Sequence, residues 1–343
     1  MADVTIKDIA EQLGISSATV SLALNNRPGV NPQTKQKVMD LVQKLNYTGT
    51  AVNKVHKNRG VLNFLVYKRY GKIIADTQFF AELIESVETA ARAFDYTIAL
   101  TYCNGKDQLD TILKPVLAAQ PEGIIILGTE MTEEDLQSFS EVDIPILLLD
   151  GDLLDCAVDR VTIHNAEGIW QAVKHLHAQG HREIGYLKSS FSIKNFDQRF
   201  WGYRYALKKL DLNYHKDYVF FVEPTLDGAL NDMEILLKNN VKLPTALIAD
   251  NDLLALGALK AFKQNGIRVP DDVSLIGFDD IPMCLFFEPA LTSVRVSTRS
   301  LGYAAVQHII HRIDHVDMDE AFRKISIGTT LMVRDSVKKI SHL

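Results

Sequence analysis

The sequence predicts a small all-α head followed by a larger α/β body of two doubly wound lobes. Two short helical patterns joined by a glycine turn open the chain, and a polar stretch follows at 48–59. From Val61 onward, short apolar runs alternate with amphipathic segments, a pattern typical of parallel sheets covered by helices. A chain of 343 residues also suits two or three domains better than one.

The head begins with a helix, a turn and a second helix. Thr5 suits an N-cap, and apolar residues follow it at helical spacing: Ile6, Ile9, Ala10 and Leu13. Gly14 can adopt the left-handed conformation that ends a helix, and Ser16 can cap the next one. This pattern is a helix-turn-helix, whose second helix reads DNA. A small helical bundle without DNA contact is the alternative.

The second helix is expected to turn Val20 and Leu24 toward a core and Ser17, Ala18, Ser21 and Leu22 outward. Side chains that would face bases are Ser17, Ala18 and Leu22. Leu22 cannot hydrogen-bond guanine, so it can only touch thymine methyl groups or exclude other bases. The predicted phosphate contacts, which position the protein without specifying sequence, are Thr19, Ser21, Asn25, Asn31 and Thr34. Thr5 and Ser16, at the starts of the two helices, complete the predicted DNA-binding set of the head.

The distribution of charge supports a DNA-binding head. The whole chain carries a net charge of −6, which argues against nucleic-acid binding. Residues 1–59, however, hold eight Lys and Arg against four Asp and Glu, a net +4, which leaves −10 on the rest. A basic head on an acidic body favours phosphate binding by the head alone.

The body reads as repeated strand–helix units. Strands are expected at 61–67, 96–102, 123–127, 146–149, 183–187, 218–222, 246–249 and 273–278, and helices at 79–94, 109–119, 166–179, 198–210, 229–239 and 253–264. Two such runs meet near Ile163–His164 and indicate two similar lobes. Ligands of such sheets bind outside the carboxyl ends of the strands. A binding cleft is therefore expected between the lobes.

Several motifs, in order along nearly the whole chain, resemble the LacI/GalR family of bacterial transcription regulators. They are Thr5-Ile6-Lys7-Asp8-Ile9-Ala10, Ala18-Thr19-Val20-Ser21, Gly180-His181-Arg182-Glu183-Ile184-Gly185, Arg199-Phe200-Trp201-Gly202-Tyr203 and Gly277-Phe278-Asp279-Asp280. The resemblance implies a periplasmic-binding-protein-like body that binds a small effector, and a homodimer on a two-fold symmetric operator in double-stranded DNA. It implies a head at 1–47, a hinge at 48–59 and a body at 60–343. Lobe 1 would comprise about 60–163 and 293–322, and lobe 2 about 164–292 and 323–343.

The hinge departs from the family pattern. In the resembling family this stretch folds on DNA and wedges a leucine into the minor groove, and the alignment places His56 at that position. Imidazole is planar and, near its reference pKa of about 6.5, can be cationic. Either Val55 or His56 is therefore expected to contact the groove or its phosphates.

Candidate effector ligands combine aromatic walls with a few polar groups, as small-molecule sites do. They are Phe79, Phe80, Asp150, His164, Arg199, Trp201, Asn251 and Asp279. Arg199 is the leading candidate because its planar fork suits two hydroxyls or a carboxylate. The family commonly has an aspartate where His164 stands, which leaves the ligand's identity open. A sugar or sugar phosphate is favoured, with a nucleobase or another metabolite as the alternative.

The remaining residues indicate no chemistry of their own. Phosphate-loop, zinc-protease and nucleophile-elbow motifs are all lacking, so neither catalysis nor a cofactor or metal is expected. Cys103, Cys156 and Cys284 lie far apart and read as reduced. With no signal peptide or membrane-length apolar stretch, a cytoplasmic protein is expected. A transporter-feeding solute-binding protein and a sugar-transforming enzyme are the competing functions; the first lacks a reason for the helix-turn-helix, and the second lacks a proton-transfer pair.

Overall fold

The computed structural model describes residues 5–24, 30–45, 59–74, 78–154, 156–316 and 321–340. Asn25, Val55 and His56, and with them nearly all of the expected hinge, lie outside the described residues. The chain divides into two compact units, Met1–Arg59 and Gly60–Leu343. Each unit is described below by itself.

The first unit contains three helices: α1 (Ile6–Leu13), α2 (Ser17–Leu24) and α3 (Pro32–Lys44). Thr5 caps α1 reciprocally with Asp8: the Asp8 amide donates to Thr5 Oγ1 at 3.4 Å, and the Thr5 amide donates to Asp8 Oδ2 at 2.6 Å. Gly14 ends the helix in the left-handed conformation, at φ 61°. Ser16 Oγ accepts the Thr19 amide at 3.0 Å and so caps α2. The predicted helix-turn-helix is therefore present with its predicted caps.

A small apolar core holds the three helices together. It is formed by Ile9, Ala10, Val20, Ala23, Val38 and Val42, all buried. Leu24 packs against it only partly, and Ala23 takes more of the inward role that the sequence assigned to Leu24. Ser17 and Ala18 remain exposed, while Ser21 and Leu22 are half-buried.

The second unit contains two six-stranded sheets. The first sheet has the order β11-β5-β4-β3-β1-β2 and the second the order β12-β10-β9-β8-β6-β7. The strands are β1 (Gly60–Lys68), β2 (Tyr96–Asn104), β3 (Gly123–Leu127), β4 (Ile146–Leu149), β5 (Asp159–Ile163), β6 (Ile184–Ser189), β7 (Val219–Val222), β8 (Ala246–Ala249), β9 (Ser274–Asp279), β10 (Thr292–Val296), β11 (Lys324–Ile327) and β12 (Thr329–Met332). All strand pairs are parallel except that of β10 with β12.

Helices cover both faces of these sheets. They are α4 (Gln78–Ala93), α5 (Lys106–Ala118), α6 (Glu133–Leu136), α7 (Asn165–Ala178), α8 (Lys194–Lys209), α9 (Leu226–Lys238), α10 (Asp252–Gln264) and α11 (Thr298–Asp314). The central strands are buried along their whole length, as in β3 and β8, because helices pack on each side. The predicted architecture of two doubly wound α/β lobes is confirmed.

The chain crosses between the two sheets at places that differ from those expected. Residues 293–322 were assigned to lobe 1, yet β10 pairs with β9 and β12 in the second sheet. Residues from 323 were assigned to lobe 2, yet β11 pairs with β5 in the first sheet. The crossings therefore fall just before α7, between β10 and α11, and at Gly328. β10 belongs to the second sheet because its mostly apolar face is buried there, with only Arg295 exposed.

Among the described residues, none of the helices is both long enough and apolar enough to cross a membrane.

Candidate functional site

A small cavity of about 20 Å³ lies between the two sheets of the second unit. It is lined by Ile73, Phe79, Phe80, Thr129, Asp150, Ile193, Asn195, Phe196, Arg199, Asn251 and Asp279. Asp150, Asn251 and Asp279 stand at or just beyond the carboxyl ends of β4, β8 and β9. The cavity therefore occupies the place where open parallel sheets bind ligands.

Arg199 is the most constrained side chain of the cavity. It is only 3% exposed, and its guanidinium lies 3.7 Å above the Phe278 ring. Nε donates to Asn165 Oδ1 at 2.8 Å and Nη1 donates to the Asp250 carbonyl oxygen at 2.5 Å. Nη2 lies 3.4 Å from Asp279 Oδ1. These three contacts fix the orientation of the planar guanidinium. An arginine held in this way favours ligands with a planar group or a pair of acceptors.

Two buried carboxyls face this arginine with perturbed acidity. Burial raises the pKa of Asp150 to about 6, although Thr129 Oγ1 at 2.7 Å and Asn195 Nδ2 at 2.9 Å donate hydrogen bonds to it. Burial also raises the pKa of Asp279 to about 8, aided by the other carboxyls nearby and opposed by Arg199. At neutral pH the Asp279 carboxyl is therefore largely protonated and can donate as well as accept a hydrogen bond.

The backbone at the strand ends is strained. Asp150 has φ 58°, Asp279 has φ 106° and Asp280 has φ 58°. Side-chain-bearing residues rarely adopt positive φ, and each such residue costs on the order of 1–3 kcal/mol. Asp280 is held by ion pairs of its carboxylate with Arg295 at 2.7 Å and Arg334 at 2.5 Å. These contacts turn Asp280 away from the cavity and leave Asp279 facing it.

Direct contacts between the lobes hold the cavity nearly closed. They come from the first turns of α8, in the second lobe. Asn195 donates to Asp150, Gln198 Nε2 donates to Asp152 Oδ2 at 2.5 Å, and Lys194 Nζ lies 2.9 Å from Glu133 Oε1. A ligand that replaces the Asn195–Asp150 bond therefore changes a contact that joins the lobes.

Six of the eight predicted effector residues line this cavity: Phe79, Phe80, Asp150, Arg199, Asn251 and Asp279. Asn251 also caps α10, because the Leu254 amide donates to its Oδ1 at 3.1 Å. Their role as effector ligands stays a prediction, since cavity lining alone does not establish binding.

Two residues were expected in the cavity and are not there. His164 is exposed, and its Nδ1 lies 2.7 Å from Glu167 Oε2 at the start of α7. Trp201 is 60% exposed and stacks on Tyr205 with the ring centroids 5.2 Å apart. Residues two apart on a helix point about 200° away from each other. Because Arg199 faces the cavity, Trp201 must face outward.

Sequence reasoning missed five lining residues: Ile73, Thr129, Ile193, Asn195 and Phe196. Thr129 follows β3 closely, so the rule that ligands gather at strand ends could have found it. Ile193, Asn195 and Phe196 were missed because α8 begins at Lys194, four residues before its predicted start.

Of the three residues predicted to face bases, Ser17 and Ala18 are exposed and Leu22 is half-buried. Ser17 and Ala18 point to solvent from the start of α2. Asn31 Oδ1 accepts the Gln33 amide at 2.7 Å, which caps α3. Thr5, Ser16, Thr19 and Asn31 thus take part in caps or local hydrogen bonds, and their contacts with DNA stay a prediction, as do those of Ser21, Leu22 and Thr34.

The three cysteines are free thiols, and burial raises the pKa of Cys103 to about 11. Within the part of the chain that the structure describes, no cluster of three His, Cys, Asp or Glu side chains is placed to hold a metal ion.

Known proteins resemble both units. Residues 5–49 match the family model of bacterial regulatory proteins of the lacI family, and residues 173–337 match that of the periplasmic binding protein-like domain. The HTH-type transcriptional repressor PurR of Mannheimia succiniciproducens is 32% identical, the alignment covering 98% of this chain and 99% of that protein. PurR of Haemophilus influenzae is 30% identical with the same coverage.

Solved structures of transcription regulators also resemble this chain. A complex of the transcriptional regulator CelR with cellobiose superposes with a TM-score of 0.72 at 26% identity, covering 97% of this chain and 99% of that one. A lac repressor dimer bound to operator and the anti-inducer ONPF has a TM-score of 0.70 at 22% identity, covering 98% of this chain and 100% of that one, and supports the fold.

A helix-turn-helix unit together with a two-lobed body around a polar cavity defines a DNA-binding transcription regulator. The chain belongs to the lacI family of bacterial regulatory proteins. It is a transcription regulator of the repressor type and not an enzyme, as the sequence predicted.

Proposed function

We propose that this repressor binds a two-fold symmetric operator as a homodimer in the cytoplasm, and that a small molecule in the cavity controls its operator affinity. The observation that carries the proposal is the cavity itself, with the Arg199 guanidinium fixed in one wall and Asp150 in the other. A ligand that contacts both lobes stabilises the closed arrangement of the lobes relative to the open one. Such differential contact is what allows a ligand to shift a conformational equilibrium.

The proposed effector is an uncharged carbohydrate. Asp150, Asp279 and Asn195 accept and donate hydrogen bonds, as a ring of hydroxyls requires. A phosphate in this cavity would lie next to the carboxyl groups of Asp150 and Asp279 as well as next to Arg199, and those carboxyls repel it whenever they are ionised. The rings of Phe79 and Phe80 meet nearly edge-on, at 85°, and so offer no parallel walls for a nucleobase. CelR, similar in fold and 26% identical, is a regulator solved with cellobiose.

A thermal-shift screen of the full-length protein tests this proposal. The panel contains neutral mono- and disaccharides, the matching sugar phosphates, and nucleobases. A ligand at 100 times its dissociation constant adds about 2.7 kcal/mol to the free energy of unfolding, which raises Tm by roughly 4–5 °C in a unit of this size. A response confined to phosphates or nucleobases would refute the carbohydrate assignment.

Effector affinity is expected to depend on pH through Asp279. A hydroxyl that donates to this group favours the carboxylate, so binding releases the proton that burial retains at a pKa of about 8. Affinity should therefore rise as pH increases from about 6 to 8 and level off above that range. Calorimetry with the strongest neutral sugar from the screen measures the slope, and Asp279→Asn should flatten it. An equal slope in the variant would assign the proton to another group, such as Asp252, whose pKa is about 7.

Operator affinity is expected to rise as pH falls from about 7.5 to 6, because a protonated His56 would contact the minor groove or its phosphates from each arm of the dimer. His56→Leu should flatten this dependence. Fluorescence anisotropy with operator DNA at fixed ionic strength measures both proteins, because salt otherwise dominates the comparison. If the parent protein and His56→Leu showed the same pH dependence, the minor-groove contact would be assigned to Val55 or to neither residue.

A further inference from the structure

The outer face of α8 and the loop after it form a groove that the effector site does not use. Its exposed aromatic rings are Trp201 (60% exposed), Tyr205 (44%) and Tyr214 (42%). Trp201, Arg204, Tyr205 and Lys208 are spaced by three and four residues and therefore share one face of the helix. Buried Leu212 also lines the groove, whose volume is about 550 Å³. We refer to these residues as the α8 groove.

The side chains of the α8 groove are held in place by contacts with one another. The rings of Trp201 and Tyr205 are nearly parallel, at 13°. Arg204 Cζ lies 5.3 Å from the centre of the Tyr214 ring, and Lys209 Nζ lies 5.6 Å from that of Tyr205. Aromatic and arginine side chains held in place lose little conformational freedom on binding. They are also the residues that carry most of the binding energy in protein interfaces.

The charge of the groove is opposite to that of the body around it. Arg204 and Lys208 of the groove, and Lys209 beside it over the Tyr205 ring, are exposed, and none forms an ion pair with a carboxylate among the described residues. Several other exposed cations of the body do have such partners: Arg92 pairs with Glu88, Lys238 with Glu234 and Arg268 with Asp272. The body as a whole carries a net −10. Three unpaired cations within an acidic unit therefore form a local site for negative charge.

We propose that the α8 groove binds an acidic peptide segment of a partner protein, anchored by an aromatic or leucine side chain against Trp201 and Leu212. The aromatic rings and buried leucine supply an apolar anchor site, and the three cations supply electrostatic complementarity. Nucleic acid fits less well, because the acidic body repels a phosphate backbone at long range. The groove lies on the opposite face of α8 from Arg199, so a peptide there leaves the effector cavity free.

Trp201 provides a direct readout, because the chain has only two tryptophans. In a full-length Trp170→Phe background, Trp201 is the sole indole. The probe is an acetylated peptide of about eight residues, made of Asp and Glu with one Phe and one Leu. Its controls are the same peptide with Asn and Gln in place of the acids, and a random-sequence DNA duplex. The acidic peptide should shift the Trp201 emission and bind at least about 10-fold more tightly than the neutral one, a difference of about 1.4 kcal/mol.

Matched variants locate the binding site. Arg204→Glu with Lys208→Glu should weaken binding of the acidic peptide at least about 10-fold. Lys260→Glu with Lys263→Glu, an equal change of charge at exposed positions of α10, should leave it unchanged. Trp201→Ala, measured with a labelled peptide, should also weaken it, while circular dichroism confirms that each variant is folded.

Three results would overturn the proposal. Equal binding of the acidic and neutral peptides would remove the role of charge. Preferential binding of the duplex by the groove, sensitive to Arg204→Glu, would make it a nucleic-acid contact. Self-association lost in the groove variants, with no peptide binding, would make a second copy of this chain the occupant. The effector screen is read out independently, so failure here leaves the proposed function intact.

Discussion

Replacing Arg199 by alanine is expected to abolish the thermal response to the effector and to lower the free energy of unfolding by about 3–5 kcal/mol. Both effects have the same origin. The guanidinium lies 3.4 Å from Asp279, donates to Asn165 and Asp250, and is itself buried. Its removal leaves buried acceptors and a buried carboxyl without their partner. Urea unfolding measures the free energy of unfolding, and calorimetry with the identified sugar measures effector binding.

A control on the same helix separates the two effects. Arg204→Ala removes an exposed guanidinium from the opposite face of α8 and should leave both stability and effector binding unchanged. Arg199→Lys keeps the charge but cannot reach all three partners, so it should recover part of the stability and little of the effector affinity. Operator binding by free Arg199→Ala protein should stay largely intact, provided the protein remains folded at the assay temperature. Undiminished effector affinity in Arg199→Ala would remove Arg199 from the binding site.

Most of the fold could be read from the sequence because its central strands are apolar throughout. Runs such as Gly123–Leu127 and Ala246–Ala249 were predicted to the residue, since a buried parallel strand needs apolar side chains on both faces. The edge strand β11 escaped, because its alternating polar residues and exposed side chains resemble a loop. The destination of β11 was wrong because its partner β5 lies more than 100 residues earlier in the chain. That of β10 was wrong although its partners β9 and β12 lie close to it in sequence.

The cavity residues at strand ends were predictable from the sequence. Those whose position depends on the rotation of a helix about its axis were not. Asp150, Asn251 and Asp279 end strands, so their meeting follows from the parallel sheets. Trp201 was misplaced because the face it occupies depends on the orientation of α8. The start of α8 also carries no capping side chain, since Ile193 stands at its N-cap, so the sequence offered no signal for Asn195.

Glu130 shows what sequence reasoning cannot detect at all. Its carboxylate is buried and accepts five backbone amides of the segment Arg69–Ile74. Those of Arg69 and Tyr70 lie 2.7 Å from Oε2, and those of Ile73 and Ile74 lie 3.2 and 3.3 Å from Oε1. Nothing in the sequence pairs a glutamate with amides some 60 residues earlier.

The segment held by Glu130 reaches both the cavity and the second lobe. Ile73 lines the cavity. Tyr70 packs edge-on against Phe191 with ring centroids 5.3 Å apart, and Lys72 Nζ lies 3.0 Å from Glu223 Oε1. Phe191 and Glu223 follow β6 and β7 of the second sheet. One buried carboxylate therefore organises a stretch of chain that contacts both the effector site and the opposite lobe.

Glu130→Ala is accordingly expected to lower the free energy of unfolding by about 3 kcal/mol, because buried amides left without an acceptor each cost on the order of 1–3 kcal/mol unless water reaches them. Glu130→Gln keeps the shape of the side chain, but its amide nitrogen donates a hydrogen bond where an acceptor is needed. The variant should therefore lose somewhat less free energy of unfolding than Glu130→Ala. Hydrogen exchange should show protection lost first at the amides of Arg69–Ile74, before the rest of the first sheet, and effector affinity should fall with it. Glu141→Ala, which removes an exposed carboxylate from the same lobe, is the matched control and should change none of these quantities. If the Arg69–Ile74 amides stayed as protected in Glu130→Ala as in the parent protein, the segment would be held by its contacts with Phe191 and Glu223 and not by Glu130.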